Sequence, residues 1–218
     1  MRRKIVSRNP ERTRELILAA ALKEFSRNGL AGARVDVMAR KAGVNKRMLY
    51  HYFTDKDGLF REVLRVRMSE RNRWLAAAPE DPSELAPYWY DLMWRDMDWI
   101  RLLEWEALEI GEDDIIAGEK RQELMKGALK KIQEGQRDGF IAKEYDAAQI
   151  LLSIMALNSF PMAFPQLTKL VTGFSVSSAG FHRRRLKFLR DFATAFRPTS
   201  KAPRVAPRPL KNLKKAKQ

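Results

Sequence analysis

The chain has 218 residues, 45% of them apolar, which allows a sizeable core, and its formal net charge is +15. It contains no cysteine, which excludes disulfides, Cys-ligated zinc and thiol-based redox sensing and fits a reducing cytoplasm. Residues 1–58 hold 14 Lys and Arg against 6 Asp and Glu, and residues 197–218 hold 8 against none. Basic ends around a nearly neutral middle favour a nucleic acid as partner, because cations that merely solubilise a surface need not be segregated.

The first predicted elements are a basic arm and an amphipathic helix. Residues 1–9 carry positive charge without the apolar run of a signal peptide, so we expect a basic arm there. Paired apolar residues at 17–18 and 20–21, followed by Phe25, predict a helix over residues 12–29 that ends at Gly29.

Two short helices and a turn come next. Apolar residues at positions 35, 38, 39 and 42 are spaced i, i+3, i+4, i+7, which predicts a helix over residues 35–42. Gly43 can enter the left-handed conformation that ends such a helix, and Asn45 can cap the next one, which runs to Phe53. Asp55 is the predicted N-cap of a fourth helix. Two helices joined by a short turn with Gly form a helix-turn-helix, whose second helix lies in the DNA major groove.

Residues 10 to 60 closely resemble the N-terminal domain of the TetR family of bacterial transcriptional regulators. The matching residues are Ile17, Leu18, Ala20, Ala21, Phe25, Gly29, Val35, Met38, Ala39, Ala42, Gly43, Val44, Lys46, Leu49, Tyr50, His51, Tyr52, Phe53, Lys56 and Leu59. The resemblance implies a three-helix DNA-binding domain joined to a larger helical domain that binds a ligand and dimerises.

The remaining chain shows helical periodicity and no sustained alternation of period two, so the predicted fold class is all-α. Further helices are predicted over residues 59–78, 84–111 (one long or two abutting), 119–138, 150–160 and 181–196, with Ser83 and Asp146 as N-caps. The predicted domains are a basic arm (1–9), the DNA-binding domain (10–58), the effector-binding and dimerisation domain (59–197) and a disordered basic tail (198–218). Residues 147–164 are apolar enough to suggest a membrane span, but polar residues and Pro161 favour a buried helix.

The predicted DNA-binding residues follow from the resemblance and from charge. Arg47 lies just after the N-cap and can donate a planar fork to guanine O6 and N7, with phosphate contact as the alternative. Family members commonly carry small residues here and at the next position, where Met48 either touches a thymine methyl group or packs. The predicted set is Arg34, Asn45, Lys46, Arg47, Met48, Tyr50, His51 and Lys56, the last three at positions that typically bind phosphates in the family.

The body is predicted to hold a small-molecule effector, whose arrival in the family changes the angle of the fourth helix. The candidate lining residues are aromatic or Met: Trp89, Met93, Trp94, Trp105, Met125, Met155 and Phe164. Each could instead belong to the ordinary core, while together they suit a bulky apolar ligand. Nearby acids could favour a cation instead: Asp91, Asp96, Asp98, Glu104, Glu106 and Glu109. A drug, a lipid, a metabolite and no ligand at all are the alternatives.

Dimerisation and the tail complete the expectations. In the family the last two long helices pair with their copies, and residues 150–160 and 181–196 suit that role, the alternative being the core of a monomer. Residues 197–218, with four prolines and eight positive charges, are expected to be disordered and to add sequence-independent attraction to DNA, with a membrane surface as the alternative.

The sequence therefore predicts a ligand-responsive repressor that binds a pseudo-palindromic operator as a homodimer, located in the cytoplasm at the nucleoid. Its predicted partners are double-stranded DNA, a second copy and an unidentified small-molecule effector, without membrane, cofactor or metal. The acidic loop at 112–114 is interpreted as solvated rather than metal-binding. The alternative function is a non-specific architectural DNA-binding protein. An enzyme is disfavoured because the chain has only two His, no phosphate-binding Gly loop and scattered carboxylates.

Overall fold

The structure is a computed structural model that describes residues 9–111 and 114–194. Most of the predicted basic arm, the whole predicted tail and two residues of the acidic loop lie outside these ranges. The described residues form helices and no strand, as the sequence predicted. The helices are α1 Pro10–Gly32, α2 Val35–Ala42, α3 Lys46–Tyr52, α4 Lys56–Ala76, α5 Pro82–Arg95, α6 Met97–Glu109, α7 Gly118–Arg137, α8 Ala147–Ala163, α9 Pro165–Thr172 and α10 Ala179–Ala193.

Residues 9–63, which we call the head, include the predicted DNA-binding domain and have their own apolar centre. Phe25 of α1 meets Phe60 of α4 edge to face, with ring centroids 5.0 Å apart. Met38 of α2 and Leu49 of α3 are fully buried in the same cluster. Three helices therefore pack around the start of α4, which fixes the relative positions of α2 and α3.

The body, residues 64–194, is not separated from the head by a break in the chain. The predicted boundary between residues 58 and 59 falls inside α4, which buries Leu59 and Phe60 in the head and Met68 further along. One apolar cluster extends from the head into the body. The fourth helix thus belongs to both parts and joins them without a break.

In the body the structure agrees with some of the sequence expectations and corrects others. Of the two alternatives for residues 84–111, one long helix or two abutting helices, the structure has two helices that meet at Asp96. Asp81 caps α5, because its Oδ1 accepts from the Ser83 N–H at 2.8 Å, so the prediction of Ser83 as N-cap was wrong by two residues. Asp146 caps α8 as predicted, accepting from the Gln149 N–H at 2.9 Å. Helix α8 continues past the predicted end at residue 160 and includes Pro161, and α9 was not predicted.

The apolar stretch at residues 147–164 was compared with the requirements for a membrane span. Within the described ranges, each helix taken singly is too short or too polar to cross a bilayer, whereas Ala147–Ala163 and Pro165–Thr172, bent by 90°, meet the length and composition criteria only as a pair.

Candidate DNA-binding surface and effector cavity

The turn between α2 and α3 is closed by backbone and side-chain hydrogen bonds. Gly43 has φ 73°, in the left-handed region that favours Gly, and this lets the Val44 N–H reach the Ala39 carbonyl at 3.0 Å. The Asn45 Oδ1 accepts from the Met48 N–H at 2.7 Å and so satisfies one of the free donors at the start of α3. Asn45 therefore positions the helix with its side-chain oxygen.

Helix α3 buries one side and exposes the other. Leu49 is its buried residue, whereas Lys46, Arg47, Tyr50 and His51 are exposed. The Lys46 Nζ lies 5.8 Å from the centre of the Tyr50 ring. Arg47 makes neither a hydrogen bond nor an ion pair within the described part of the chain. The outer side of α3 is thus a cationic surface with polar groups free to contact another molecule.

Of three other predicted DNA-binding residues, two are hydrogen-bonded within the head and one is half-buried. Arg34 donates to both carboxylate oxygens of Asp36, from Nε at 3.2 Å and from Nη2 at 3.1 Å. The hydrogen bonds from Arg34 lower the pKa of the Asp36 carboxyl. Lys56 Nζ donates to the Ala31 carbonyl at 3.1 Å, and Met48 is half-buried. The structure thus brings the predicted set together around α3 and the starts of α2 and α4.

The head meets the body at a kink in α1. Gly29 has φ 67° and ψ −177°, a conformation reserved for Gly, and the chain then resumes one more helical turn. The Leu30 N–H donates to Glu109 Oε2 at 2.9 Å, and the Ala31 N–H donates to Glu109 Oε1 at 3.2 Å. The Trp105 ring fills the space beside Gly29, where an added Cβ would lie 2.7 Å from ring atom Cε3. Helix α6 is therefore fastened to the end of α1.

A second contact between α1 and α6 lies at the opposite end of α6 from Glu109. The Ser26 Oγ donates to Asp98 Oδ1 at 3.2 Å, and Lys23 forms an ion pair with the same carboxylate. Burial acts to raise the pKa of Asp98, but the bonds from Lys23 and Ser26 outweigh it, so the pKa is lowered.

The body contains an apolar cavity of about 250 Å³. It lies between five helices, α4 to α8, and its lining is mostly Trp, Met and aliphatic. The lining residues are Met68, Arg71, Trp74, Trp89, Met93, Trp99, Leu103, Arg121, Leu124, Met125, Ala128, Leu151, Ile154, Met155 and Asn158. Four of the predicted ligand-binding residues line it: Trp89, Met93, Met125 and Met155.

Three predicted lining residues lie outside the cavity, and the ring of each makes contacts elsewhere in the protein. Trp94 donates through Nε1 to the Val176 carbonyl at 2.9 Å and stacks on His182 with centroids 4.1 Å apart. Trp105 packs at the kink of α1. Phe164 lies between α8 and α9, half exposed, next to Phe160.

The polar part of the lining was missed by sequence reasoning. Arg71 is 4% exposed and its guanidinium lies between Trp74 and Trp99, at 4.4 and 4.2 Å from their ring centres. It donates to Asp96 Oδ2 at 2.6 Å, and burial lowers the pKa of Arg71. Asn158 is 1% exposed, and an amide in the middle of an apolar helix was the one signal in the sequence that pointed to it.

The acids that could have favoured a cationic ligand are mostly occupied by the protein itself. Glu106 accepts from Arg121 Nη2 at 2.9 and 2.8 Å. Asp96 pairs with Arg67 and Arg71, and Asp91 with His182 and Arg95. Asp98 and Glu109 hold α1. These carboxylates are therefore committed to structure, and the expectation of a cation site loses its support.

Comparison with known proteins follows the same division into head and body. Residues 17–63 match the model for bacterial regulatory proteins of the tetR family, and residues 81–194 match the tetracyclin repressor-like C-terminal domain. The HTH-type transcriptional repressor SCO4008 of Streptomyces coelicolor is 31% identical over 176 residues, which cover 78% of this chain and 88% of that protein. The HTH-type transcriptional repressor NicS of Pseudomonas putida is 32% identical over 164 residues, covering 69% and 76%. The chain belongs to the TetR family.

Solved structures agree with this membership. This TetR-family chain superposes on the transcriptional regulator SCO4942 from Streptomyces coelicolor with a TM-score of 0.72 at 27% identity, covering 85% of this chain and 98% of that one. The ketosteroid regulator KstR2 of Mycobacterium tuberculosis shares the fold, with a TM-score of 0.65 at 16% identity over 90% of this chain and 100% of that one. The chain is a ligand-responsive, DNA-binding transcriptional regulator.

The TetR-family body also leaves large apolar side chains uncovered on its last three described helices. Helix α8 is the most apolar of the ten, yet Leu152 is 58% exposed and Phe160 49% exposed. We use the name α8–α10 surface for the exposed large apolar residues on and between these three helices. They are Leu152, Phe160, Phe164, Leu167, Leu170, Val171 and Phe188. Monomeric soluble proteins rarely leave so many large apolar groups in water without a partner.

Proposed function

We propose that this chain is a homodimeric repressor that binds a pseudo-palindromic operator through α3 and leaves it when a small molecule fills the cavity of the body. The observation that carries the proposal is the exposed cationic side of α3 on a fully packed scaffold. Repression is supported by SCO4008 and NicS, both of which are transcriptional repressors. A dimer is expected to bind two half-sites about 34–36 Å apart, or a multiple of that distance.

Different parts of the surface have different proposed roles. Arg47 reads guanine, since its guanidinium has no competing partner in the described residues, and Lys46 and Met48 contact bases beside it. Arg34, Tyr50, His51 and Lys56 contact phosphates, which fixes the register of α3 without reading sequence. Asn45 contributes by holding the first turn of α3.

Selection of binding sites from random DNA duplexes, at stated salt concentration, tests the proposal. We expect an inverted repeat to emerge. Arg47→Ala should then lower affinity for the selected site by about 1–3 kcal/mol and affinity for random DNA by much less. Lys56→Ala should weaken both about equally. Equal binding of all duplexes by the unmodified protein would support the alternative, a non-specific architectural protein.

The proposed dimer uses the α8–α10 surface. These helices bury part of their apolar residues against the body and leave the rest exposed, which supports a partner of the same chemistry. A second copy of the chain presents the same apolar surface, and a twofold axis makes such a surface self-complementary. The two α3 helices are then held at a fixed distance, as an operator with two half-sites requires.

The proposed route of regulation runs along α6. Arg121 of the cavity bonds to Glu106, and Glu109, one turn later, holds the backbone of α1. Ala31 in turn accepts the hydrogen bond from Lys56, a proposed phosphate contact. A ligand that shifts Arg121 therefore changes the hold of α6 on the head and with it the position of α3.

A further inference from the structure

We propose that the cavity binds a neutral aromatic molecule that carries a carboxamide or lactam group, and that Asn158 and Arg121 bind this group. The inference rests on the proposed role of the cavity as the effector site and names the chemical class of the effector. The cavity is lined by the rings of Trp74, Trp89 and Trp99 together with four Met side chains. Flat rings and polarisable thioethers favour a flat, apolar ligand body.

Asn158 is the first sign of a specific polar group in the ligand. It lies on α8 among the apolar lining residues, and its Oδ1 accepts no hydrogen bond from the described residues. A buried polar atom without a partner is destabilising, and such atoms are rare in proteins. An amide supplies both a donor and an acceptor, so Asn158 can bind a group that has both.

Arg121 is the second sign. Its Nη2 is bonded to Glu106, but its Nε is buried and has no acceptor among the described residues. The ion pair fixes the guanidinium, and the remaining N–H can then donate to a carbonyl oxygen of a ligand. A ligand that offers an acceptor to Arg121 and a donor to Asn158 carries the two halves of a carboxamide or lactam.

The charged side chains around the cavity are already paired with one another, and this favours a neutral ligand. Arg121 is balanced by Glu106, while Arg67 and Arg71 are balanced by Asp96 and Glu70. An anionic or cationic ligand would have to break one of these pairs or stay unpaired in an apolar cavity, and both are costly. An amide meets the same polar atoms without a net charge.

Isothermal titration calorimetry with four compounds of one ring system tests this inference. The probes are naphthalene, 2-naphthamide, 2-naphthoate and 2-naphthylmethylammonium. We expect the amide to bind about tenfold more tightly than naphthalene, as two hydrogen bonds would allow, and more tightly than either ion. Equal binding of the amide and naphthalene, tighter binding of an ion, or no binding of the amide would overturn the inference.

Two matched variants separate recognition by Asn158 from a structural role. Asn158→Leu should reduce the preference for the amide over naphthalene from about tenfold to about threefold, because the hydrogen bond to Arg121 remains. It should also raise the thermal midpoint of the free protein, because an unpaired acceptor is removed. Asn72→Leu is the control, since Asn72 also has a buried Oδ1 without a partner but does not line the cavity. It should retain the preference. An unchanged preference in Asn158→Leu would contradict the proposed role.

The same titrations distinguish this inference from the proposed function. If 2-naphthamide binds with the expected preference but leaves operator affinity unchanged, the ligand class stands and the regulatory role of the cavity fails. If the amide does not bind while the protein still selects an inverted repeat, the ligand class fails and the DNA-binding role stands.

Discussion

The head and the body differ in two respects: the number of buried polar atoms without a hydrogen-bond partner, and the number of large apolar side chains that are exposed. Six buried side-chain nitrogen or oxygen atoms lack a hydrogen-bond partner among the described residues, and all six belong to the body. They lie on Arg67, Asn72, Tyr90, Arg121, Asn158 and Arg185. Of the large apolar side chains that are exposed, Leu16 and Tyr50 belong to the head and all the others to the body.

This difference reflects what each part binds. The head recognises a polyanion with long cationic side chains that stay hydrated until DNA arrives, so its interior can be complete by itself. In the body, two of the six unpaired buried atoms, on Arg121 and Asn158, line the proposed effector cavity. The exposed apolar side chains of the α8–α10 surface are the ones that the proposed second copy would cover.

The largest expected effect concerns the uncovered apolar surface of the body. Leu152→Glu would place a charge from each copy in the proposed interface, and we expect dimerisation to weaken by at least about 3 kcal/mol, more than a hundredfold in the dimer Kd. Sedimentation equilibrium measures this. Leu108→Glu is the control, because Leu108 is 78% exposed but lies on α6. If both variants dimerise like the unmodified protein, the α8–α10 surface is not the interface.

The next effect concerns the junction of the two parts at Gly29. A Cβ there would lie 2.6 Å from Glu109 Oε1 and 2.7 Å from Trp105 Cε3, in a backbone conformation that other residues avoid. We expect Gly29→Ala to lower the free energy of unfolding by about 2–3 kcal/mol.

A neighbouring glycine provides the control. Gly32 ends the same helix, and an added Cβ there would meet its nearest atom, Asn28 Cβ, at 3.5 Å, an ordinary contact. Gly32→Ala should therefore leave the free energy of unfolding unchanged within about 1 kcal/mol. Equal losses in the two variants, measured by denaturant titration, would mean that the junction at Gly29 is not under particular constraint.

Removal of the Glu109 carboxylate tests whether the body holds the head. Glu109→Ala removes the acceptor of the Leu30 and Ala31 N–H groups, and since these bonds are exposed we expect a loss of about 1 kcal/mol. Amide hydrogen exchange should become faster in α1 to α3 and stay unchanged in α8. Glu104→Ala, on the same helix, is the control without such bonds. Faster exchange in both parts would indicate general destabilisation instead.

The head was more predictable from the sequence than the body because its signals are local. Gly43 with its left-handed φ and the caps Asn45 and Asp55 act within three residues, and the predicted bounds of α2 agree with the structure. The cavity depends on contacts between distant segments. Arg71 pairs with Asp96, 25 residues later, and no spacing rule in the sequence links them.

The predicted ligand site shows the same limit at the level of single residues. Residue type selected Trp and Met correctly as a class, since four of the predicted residues line the cavity. It could not decide which Trp faces inward. Trp94 and Trp105 are as apolar as Trp89, but each is held by a distant segment of the chain. Trp94 bonds to Val176 in the turn between α9 and α10, and Trp105 packs beside Gly29 of α1.

The smallest expected effect is the pH dependence of the second contact between α1 and α6. The pKa of Asp98 is lowered, because the bonds from Lys23 and Ser26 outweigh burial. The contribution of Asp98 to stability is therefore present above its unfolded pKa of about 3.9 and is lost as pH falls through its lower folded pKa. Between pH 7 and 5, Asp98→Asn should lower the free energy of unfolding by a constant amount, and the difference should shrink below about pH 4.

Asp36→Asn provides the matched control for this test. The pKa of Asp36 is also lowered, by Arg34, but this exposed pair lies within one segment of the head and joins it to nothing else. Both variants should lose their difference from the unmodified protein in acid. Only Asp98→Asn should also speed hydrogen exchange in α1 at neutral pH, because Asp98, unlike Asp36, bridges α6 and α1. Equal exchange in α1 for the two variants would show that the Asp98 contact does not connect the head to the body.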